Sequence, residues 1–386
     1  MRPIMDTSLV KALPFSSAWL PGDRWPETCL RLPLLLLLLP VTLIILLLFF
    51  PSSAPLPPPH PNIPCGAAPA DATAGRWIPT PSPPPPALYN QSCPFHRKSW
   101  NCLRNGRAPV AAFSWAPSRC GSGAVVPRVD PAAFLAATRG RRIGFVGDSL
   151  SENMAIALLC APRQPIENSE PRKDGIKGTY RVDVDIPADD WINIIKFYDV
   201  LIFNTGHWWG SYKFPKETPL VFYRGGKLIE PPLSIFDGLK VALKSMGSYI
   251  KREVPSKTLK LWRTQSPRHF DGGDWNHNGS CVSNRLLQQN ELDSWFDPRF
   301  GGVNKDARLV NSLLQEALVE TDIQLLNLTY MSEFRADAHP AVWLEKKDEV
   351  VVWRQDCMHW CLPGVPDTWV DILAARILHY FKQGKG

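Results

Sequence analysis

The chain has 386 residues, a formal charge of +7, 45% hydrophobic residues and 15 tryptophans. That length and apolar content can fill a large core. Its lysines and arginines are scattered rather than gathered into a stripe that would track a nucleic-acid backbone, so no nucleic-acid partner is expected.

Residues 1–31 read as a polar tail. Leu32 to Phe50 follows, 19 residues without a charge and nearly all Leu, Ile, Val and Phe. As a helix it would reach about 28 Å, close to a hydrocarbon core of roughly 30 Å. A transmembrane signal anchor over 32–50 is expected, although Pro33 and Pro40 weaken the helix. A cleaved signal peptide is the alternative, disfavoured by the long lead and by Pro55 after the small-residue site Ser52-Ser53-Ala54. Arg24 and Arg31 precede the run, and no Lys or Arg follows until Arg76. The positive-inside rule then leaves the N-terminus in the cytosol and the rest in the lumen, a single-pass type II arrangement. Cys29 falls on the cytosolic side. Eight cysteines lie beyond: Cys65, Cys93, Cys102, Cys120, Cys160, Cys281, Cys357 and Cys361. An even set in an oxidising lumen implies disulfides, with the connectivity left open. Sequons start at Asn90, Asn278 and Asn327, each also readable as an ordinary asparagine.

Residues 51–88 form an expected stem, since 14 prolines between 51 and 87 favour an extended, solvated chain. Residues 89–130 carry Cys and Trp with little periodicity and read as a loop-rich, disulfide-stapled cap. From 131 to 386, short apolar runs alternate with helical patterns. Strands are expected at Arg142–Val146, Val200–Phe203, Leu259–Trp262 and Ile323–Leu326. Helices are expected through Asn153–Cys160, about Ile235–Glu253, Lys305–Thr321 and from Asp367 onward. Asn304 would cap the third, with Leu309, Leu313, Ala317 and Leu318 inward. Trp369, Leu373, Ile377 and Tyr380 would form the apolar face of the last. This alternation predicts a parallel sheet in an α/β/α sandwich.

The first of these strands runs into Gly147-Asp148-Ser149-Leu150, placing Ser149 at a strand's carboxyl end and a helix start, where open α/β sheets build sites. Taken alone, Ser149 reads equally as a helix N-cap. Near the C-terminus stands Asp356-Cys357-Met358-His359-Trp360-Cys361. A serine hydroxyl needs a base, histidine serves near neutral pH, and a carboxylate fixes its tautomer. Asp356 lies three residues before His359, near enough to share one loop. A zinc cluster is the alternative, with a spacing that fits no common structural pattern. A plain surface loop is the other.

The runs G-D-S-L, N-T-G-H-W-W (Asn204–Trp209), R-T-Q-S-P-R-H-F (Arg263–Phe270), G-D-W-N (Gly273–Asn276) and D-C-M-H-W-C-L-P-G-x-P-D-x-W (Asp356–Trp369) together resemble the plant trichome birefringence-like family. Cys93 to Cys120, with N-G-R at Asn105–Arg107, is similar to its cysteine-rich N-terminal region. The resemblance spans about residues 65–386. It implies a three-layer, SGNH-hydrolase-like α/β/α domain with a disulfide-stapled N-terminal cap. It further implies a Golgi membrane O-acetyltransferase acting on cell-wall polysaccharide, xylan foremost. Ser149 would be the nucleophile, His359 the base and Asp356 its orienting carboxylate. Asn204 and the Ser149 N–H would hold the oxyanion, a strand-end turn being the other role for Asn204. The implied disulfides are Cys65–Cys120, Cys93–Cys160, Cys102–Cys361 and Cys281–Cys357. No bound cofactor is expected. An acetyl donor is required, acetyl-CoA or another acetyl carrier, and acetyl-donor transport proteins are candidate partners.

Trp208, Trp209, Trp275 and Trp360 lie in or beside these motifs, where aromatic faces either stack on sugar rings or pack in the core. His207, His269 and His277 share the segments, and no metal is assigned to them. Two departures from the family stand out. Glu152 occupies a position where many relatives have Arg. The segment after Cys160 is short, lacking an expected strand and a glycine oxyanion donor, so that Val200–Phe203 would lose a pairing partner. An acetylesterase, or a wall-polysaccharide-binding protein with impaired chemistry, are the competing functions.

Overall fold

The computed structural model describes residues 63–80, 89–107, 113–160, 180–187, 192, 195–210, 213–214, 219–275, 277–300, 304–344 and 355–384. The expected tail, the apolar run 32–50, most of the stem and the segment directly after Cys160 lie outside these residues. Among the described residues no helix is long and apolar enough to cross a membrane.

The N-terminal half contains β1 (Gly75–Pro79), β2 (Phe113–Pro117), α1 (Pro131–Ala137), β3 (Ile143–Val146), α2 (Ser149–Cys160), β4 (Tyr180–Asp183) and β5 (Val200–Phe203). There follow β6 (Leu220–Arg224), β7 (Lys227–Leu228), α3 (Ile235–Glu253), β8 (Leu259–Arg263), α4 (Leu292–Phe296) and α5 (Asp306–Leu318). The chain closes with β9 (Gln324–Leu326), α6 (Thr329–Glu333) and α7 (Val365–Lys382).

Strands β3, β5, β8 and β9 form one sheet in the order β3-β5-β8-β9, every pair parallel. A parallel strand covered on both faces must be apolar at every position. Strand β5 meets that demand, since all four of its residues are at most 1% exposed. Alternate side chains leave on opposite faces. Val200 and Ile202 join Leu259 and Leu261 in a core with the inward residues of α2 and α7. Leu201, Phe203 and Trp262 join a second core with Leu239 and Leu243 of α3 and Val310 and Leu314 of α5. The result is helix, sheet and helix in three layers.

Local signals set several boundaries. Asp130 caps α1 through Ala132 N and Ala133 N, followed by Pro131 at the first helical position. Ser234 caps α3 by accepting from Asp237 N at 3.1 Å. Lys251 and Arg252 complement the carbonyl end of that helix.

The structure departs from the sequence expectations in five places. Residues 63–80 belong to the folded body, not to an extended stem. There β1 pairs antiparallel with β2, and Trp77 Nε1 donates to Met331 O at 2.7 Å. The surrounding prolines hide the short Gly-Arg-Trp-Ile run that makes this ribbon. A second sheet, β4-β6-β7, was not expected from the sequence. Strand β5 keeps partners on both sides, β3 and β8, so Val200–Phe203 loses no pairing; among the described residues β3 and β9 are the edges. Asn304 does not cap α5, whose flanking residue is Lys305; its amide instead accepts from Phe270 N and donates to Phe270 O. The buried face of α5 is Ala307, Val310, Leu314, Ala317 and Leu318, so Leu309 and Leu313 sit beside it.

Candidate active site

Strand β3 delivers Gly147 and Asp148 to the carboxyl edge of the sheet. The turn is tight: a Cβ on Gly147 would meet Asn204 Oδ1 at 2.1 Å and Asn204 O at 2.6 Å. Asp148 starts α2, its Oδ1 accepting from Leu150 N at 3.0 Å and its main-chain oxygen from Ser151 N at 2.9 Å. Helix α2 therefore begins at Ser149, a turn earlier than the apolar pattern indicates. Among the described residues no acceptor takes the Ser149 N–H.

The last loop before α7 brings His359 to this helix end. His359 Nε2 lies 2.7 Å from Ser149 Oγ, and His359 Nδ1 lies 2.8 Å from Asp356 Oδ2. A carboxylate only accepts, so Nδ1 carries the hydrogen and Nε2 is left to accept from the serine hydroxyl. The other Asp356 oxygen accepts from His359 N at 2.9 Å and Met358 N at 3.1 Å. Burial works to raise the Asp356 carboxyl, but the charge on His359 and these hydrogen bonds outweigh it and hold the group well below the usual carboxylate range. It stays ionised wherever the base functions.

Two disulfides fasten this loop. Cys357 is joined to Cys281 and Cys361 to Cys102. The remaining pairs are Cys65–Cys120 and Cys93–Cys160, so all eight cysteines sit in the pairs the resemblance implies. With Cys357 and Cys361 oxidised, no thiolates remain there for zinc. Cys93, His96 and Cys160 also cluster, but the two sulfurs are bonded to each other. The loop is further held to α2, since Asn153 accepts from Trp360 N at 3.1 Å and donates to Trp360 O at 3.2 Å.

Asn204 is placed beside the nucleophile but is already engaged. Its Oδ1 accepts from Asp148 N at 3.1 Å and Ser151 Oγ at 2.6 Å, and its Nδ2 donates to Asp148 Oδ1 at 3.0 Å. It clamps the turn, and one N–H remains for an oxyanion.

The cap supplies residues that the sequence pattern did not single out. The Trp100 ring lies 4.8 Å from the His359 ring, tilted by 31°. Arg97 lies 5.0 Å over the Trp100 ring and pairs with Glu152. The usable clue was Cys102, two residues after Trp100 and bonded to Cys361, two residues after His359.

The motif Arg263–Phe270 is buried throughout beneath the site. His207 is buried too, with Nδ1 3.3 Å from Gln265 Nε2. Burial, then the charges of Arg268, Arg263 and His359, push its pKa well down, which keeps it neutral. His277 is exposed, and His269 is buried against His339. Of the four tryptophans, Trp360 is fully buried and Trp209 stacks on Phe222, whereas Trp208 and Trp275 are 38% and 56% exposed. Only these last two are exposed, and Lys213 Nζ lies 4.6 Å over the Trp208 ring. Among the sequons, Asn90 and Asn278 are exposed, while Asn327 is half-buried with Oδ1 accepting from Thr329 N.

Comparison with known proteins agrees with this geometry. Residues 126–177 and 166–376 match the PC-Esterase model, described as a GDSL/SGNH-like acyl-esterase family found in Pmr5 and Cas1p. Residues 69–121 match the PMR5 N-terminal domain, which again places the β1–β2 ribbon in the folded body. The two PC-Esterase matches meet within the segment after Cys160. The chain is 52% identical to trichome birefringence-like 12 of Arabidopsis thaliana over 357 residues, 81% of this chain and 86% of that protein. That aligned length exceeds the share of this chain taking part, so the relative carries residues absent here. It is 35% identical to trichome birefringence-like 13 (82% and 85% covered) and 29% to trichome birefringence itself (79% and 55%), both from the same plant.

Proposed function

We propose, on the premise that this chain belongs to the trichome birefringence-like family of PC-esterase proteins, that it is a polysaccharide O-acetyltransferase working through an acetyl-Ser149 intermediate. The observation that carries this is the Ser149–His359–Asp356 relay. His359 Nε2 takes the Ser149 proton as Oγ attacks the acetyl carbonyl of acetyl-CoA or another carrier. The tetrahedral oxyanion is met by the Ser149 N–H and the remaining Asn204 N–H, each donor contributing a few kcal/mol. Collapse expels the carrier, which takes the proton from His359. A sugar hydroxyl then gives its proton to His359 and attacks the acetyl-enzyme, forming the sugar ester and restoring Ser149. Trp208 and Trp275 offer ring faces for the acceptor, with xylan as the proposed polysaccharide.

A Golgi location with a single-pass type II anchor is part of the proposal, supported by the apolar run, the Arg24/Arg31 asymmetry and four disulfides. Acetyl-donor transport proteins would then be its suppliers. Protease added to sealed microsomes should trim only about the first 31 residues; loss of the C-terminal part without detergent would overturn that topology.

The shortened segment after Cys160 favours a second reading, a polysaccharide-binding protein with impaired chemistry. Incubation with an acetyl donor and deacetylated xylan, followed by product mass, separates the possibilities. Acetylated xylan is expected; free acetate alone indicates an esterase, and binding without either indicates the second reading.

A further inference from the structure

We propose that His269 and His339 form a buried imidazole–imidazolium pair that holds the main chain of His359, making both positioning residues for the base. Their positioning role rests on the acyl-transfer reading; the shared proton does not.

Both rings are almost wholly buried. His269 Nδ1 lies 2.7 Å from His339 Nε2. The outer nitrogens both face main-chain carbonyls: His269 Nε2 is 2.8 Å from Glu333 O, and His339 Nδ1 is 2.7 Å from His359 O. A carbonyl only accepts, so each outer nitrogen carries a hydrogen. A neutral imidazole has just one. Two neutral rings bring only two hydrogens to these three contacts, so one of them would set a bare lone pair against another acceptor. A third proton between the rings satisfies all three contacts and leaves the pair with one positive charge.

The surroundings bear on that charge from every side. Burial draws both rings toward the neutral form, as do Arg335 near His269 and Arg107 near His339. Asp337 near His269 and Asp356 near His339 act the other way. Both arginines are engaged elsewhere: Arg335 pairs with Asp337, and Arg107 donates to the main-chain oxygens of Asp337 and Ser283. The Glu333 carboxylate is taken by Arg308. The Trp360 ring lies 4.2 Å from the His339 ring at 34°, a placement that favours a cation. Against the desolvation stand three hydrogen bonds that only a third proton can satisfy together, since a neutral pair leaves one contact unsatisfied in a buried site.

The consequence falls on the base. His359 N is held by Asp356 Oδ1 and His359 O by the His339 Nδ1–H, so the residue is fixed at both ends while its ring reaches Ser149.

The test is NMR of the full chain labelled with 15N-histidine, in detergent at neutral pH, beside kinetics of acetyl transfer. Three ring protons over the two rings are expected, the shared one a low-field N–H that persists in Ser149→Ala and vanishes in both His269→Gln and His339→Gln. Two neutral rings would overturn the pair. Each Gln variant should lower kcat roughly tenfold to a hundredfold at an unchanged KM. A wild-type kcat in a folded variant would overturn the positioning role. If the variants fail to fold, the wild-type spectrum decides. Transfer that survives Ser149→Ala defeats the acyl-transfer reading and leaves the spectroscopic result standing.

Discussion

Replacing Gly147 by alanine would set a methyl group 2.1 Å from Asn204 Oδ1, 2.6 Å from Asn204 O and 2.9 Å from Ser151 Oγ. The Asn204 oxygen is main chain at the end of β5, held by its place in the sheet, so relief must come from the Gly147–Ser149 turn. Restoring ordinary contact takes a shift of about 1 Å, and such overpacking costs roughly 1–3 kcal/mol. For a domain of this size that lowers the melting temperature by several degrees, roughly 2–10 °C. The same shift moves Ser149 Oγ relative to His359 Nε2, now 2.7 Å away. A misplacement of that order costs about a hundredfold in rate. The check is kcat/KM on a chromogenic acetyl ester alongside a thermal melt. Full activity in Gly147→Ala would refute the argument that this turn aims the nucleophile; lost stability with full activity would refute it equally.

Removing the Cys281–Cys357 bond by a double Cys→Ala change should cost roughly 2–4 kcal/mol in a denaturant titration. It should also slow acetyl transfer, since Cys357 adjoins Asp356; an unchanged rate would mean that the hydrogen bonds alone position the loop. Asp371 gives a pH signature. Burial pushes its carboxyl up to about 7, with Arg128 and Val129 N opposing. The folded state therefore binds the proton more tightly than the unfolded chain, so this contribution is present below the ordinary aspartate range and lost as pH rises through about 7. The loss is on the order of 4 kcal/mol, and Asp371→Asn, which keeps an acceptor for Val129 N, should flatten the fall in melting temperature between about pH 4 and 7. A variant that tracks the wild type would remove Asp371 as the cause.

The four strands of the main sheet are legible in the sequence because both faces of a parallel strand are covered, leaving continuous apolar runs such as Val200–Phe203. Tyr180–Asp183 mixes charged and apolar residues in a smaller sheet, and no run marks it, whereas residues 220–223 are a short apolar run not expected as a strand from the sequence. Ser149, Asp356 and His359 are legible because their roles demand specific residue types beside a strand end and in one loop. Trp100 and the Arg97–Glu152 pair are not, since a disulfide spanning 259 residues brings the cap to the base. Asn204 shows a finer limit. Its place beside the turn could be read, but its bonds to Asp148 and Ser151, which make it a clamp, depend on side-chain geometry. His269 and His339 are 70 residues apart, and local spacing cannot disclose that their rings meet.

The central claim, a covalent acetyl-serine, is tested most directly by rapid-quench intact-mass analysis after mixing with acetyl donor, followed by peptide mapping. A single acetyl group on the peptide bearing Ser149 is expected, lost when deacetylated xylan is added and never formed in Ser149→Ala. Acetyl transfer to xylan by the Ser149→Ala protein at the wild-type rate would contradict it.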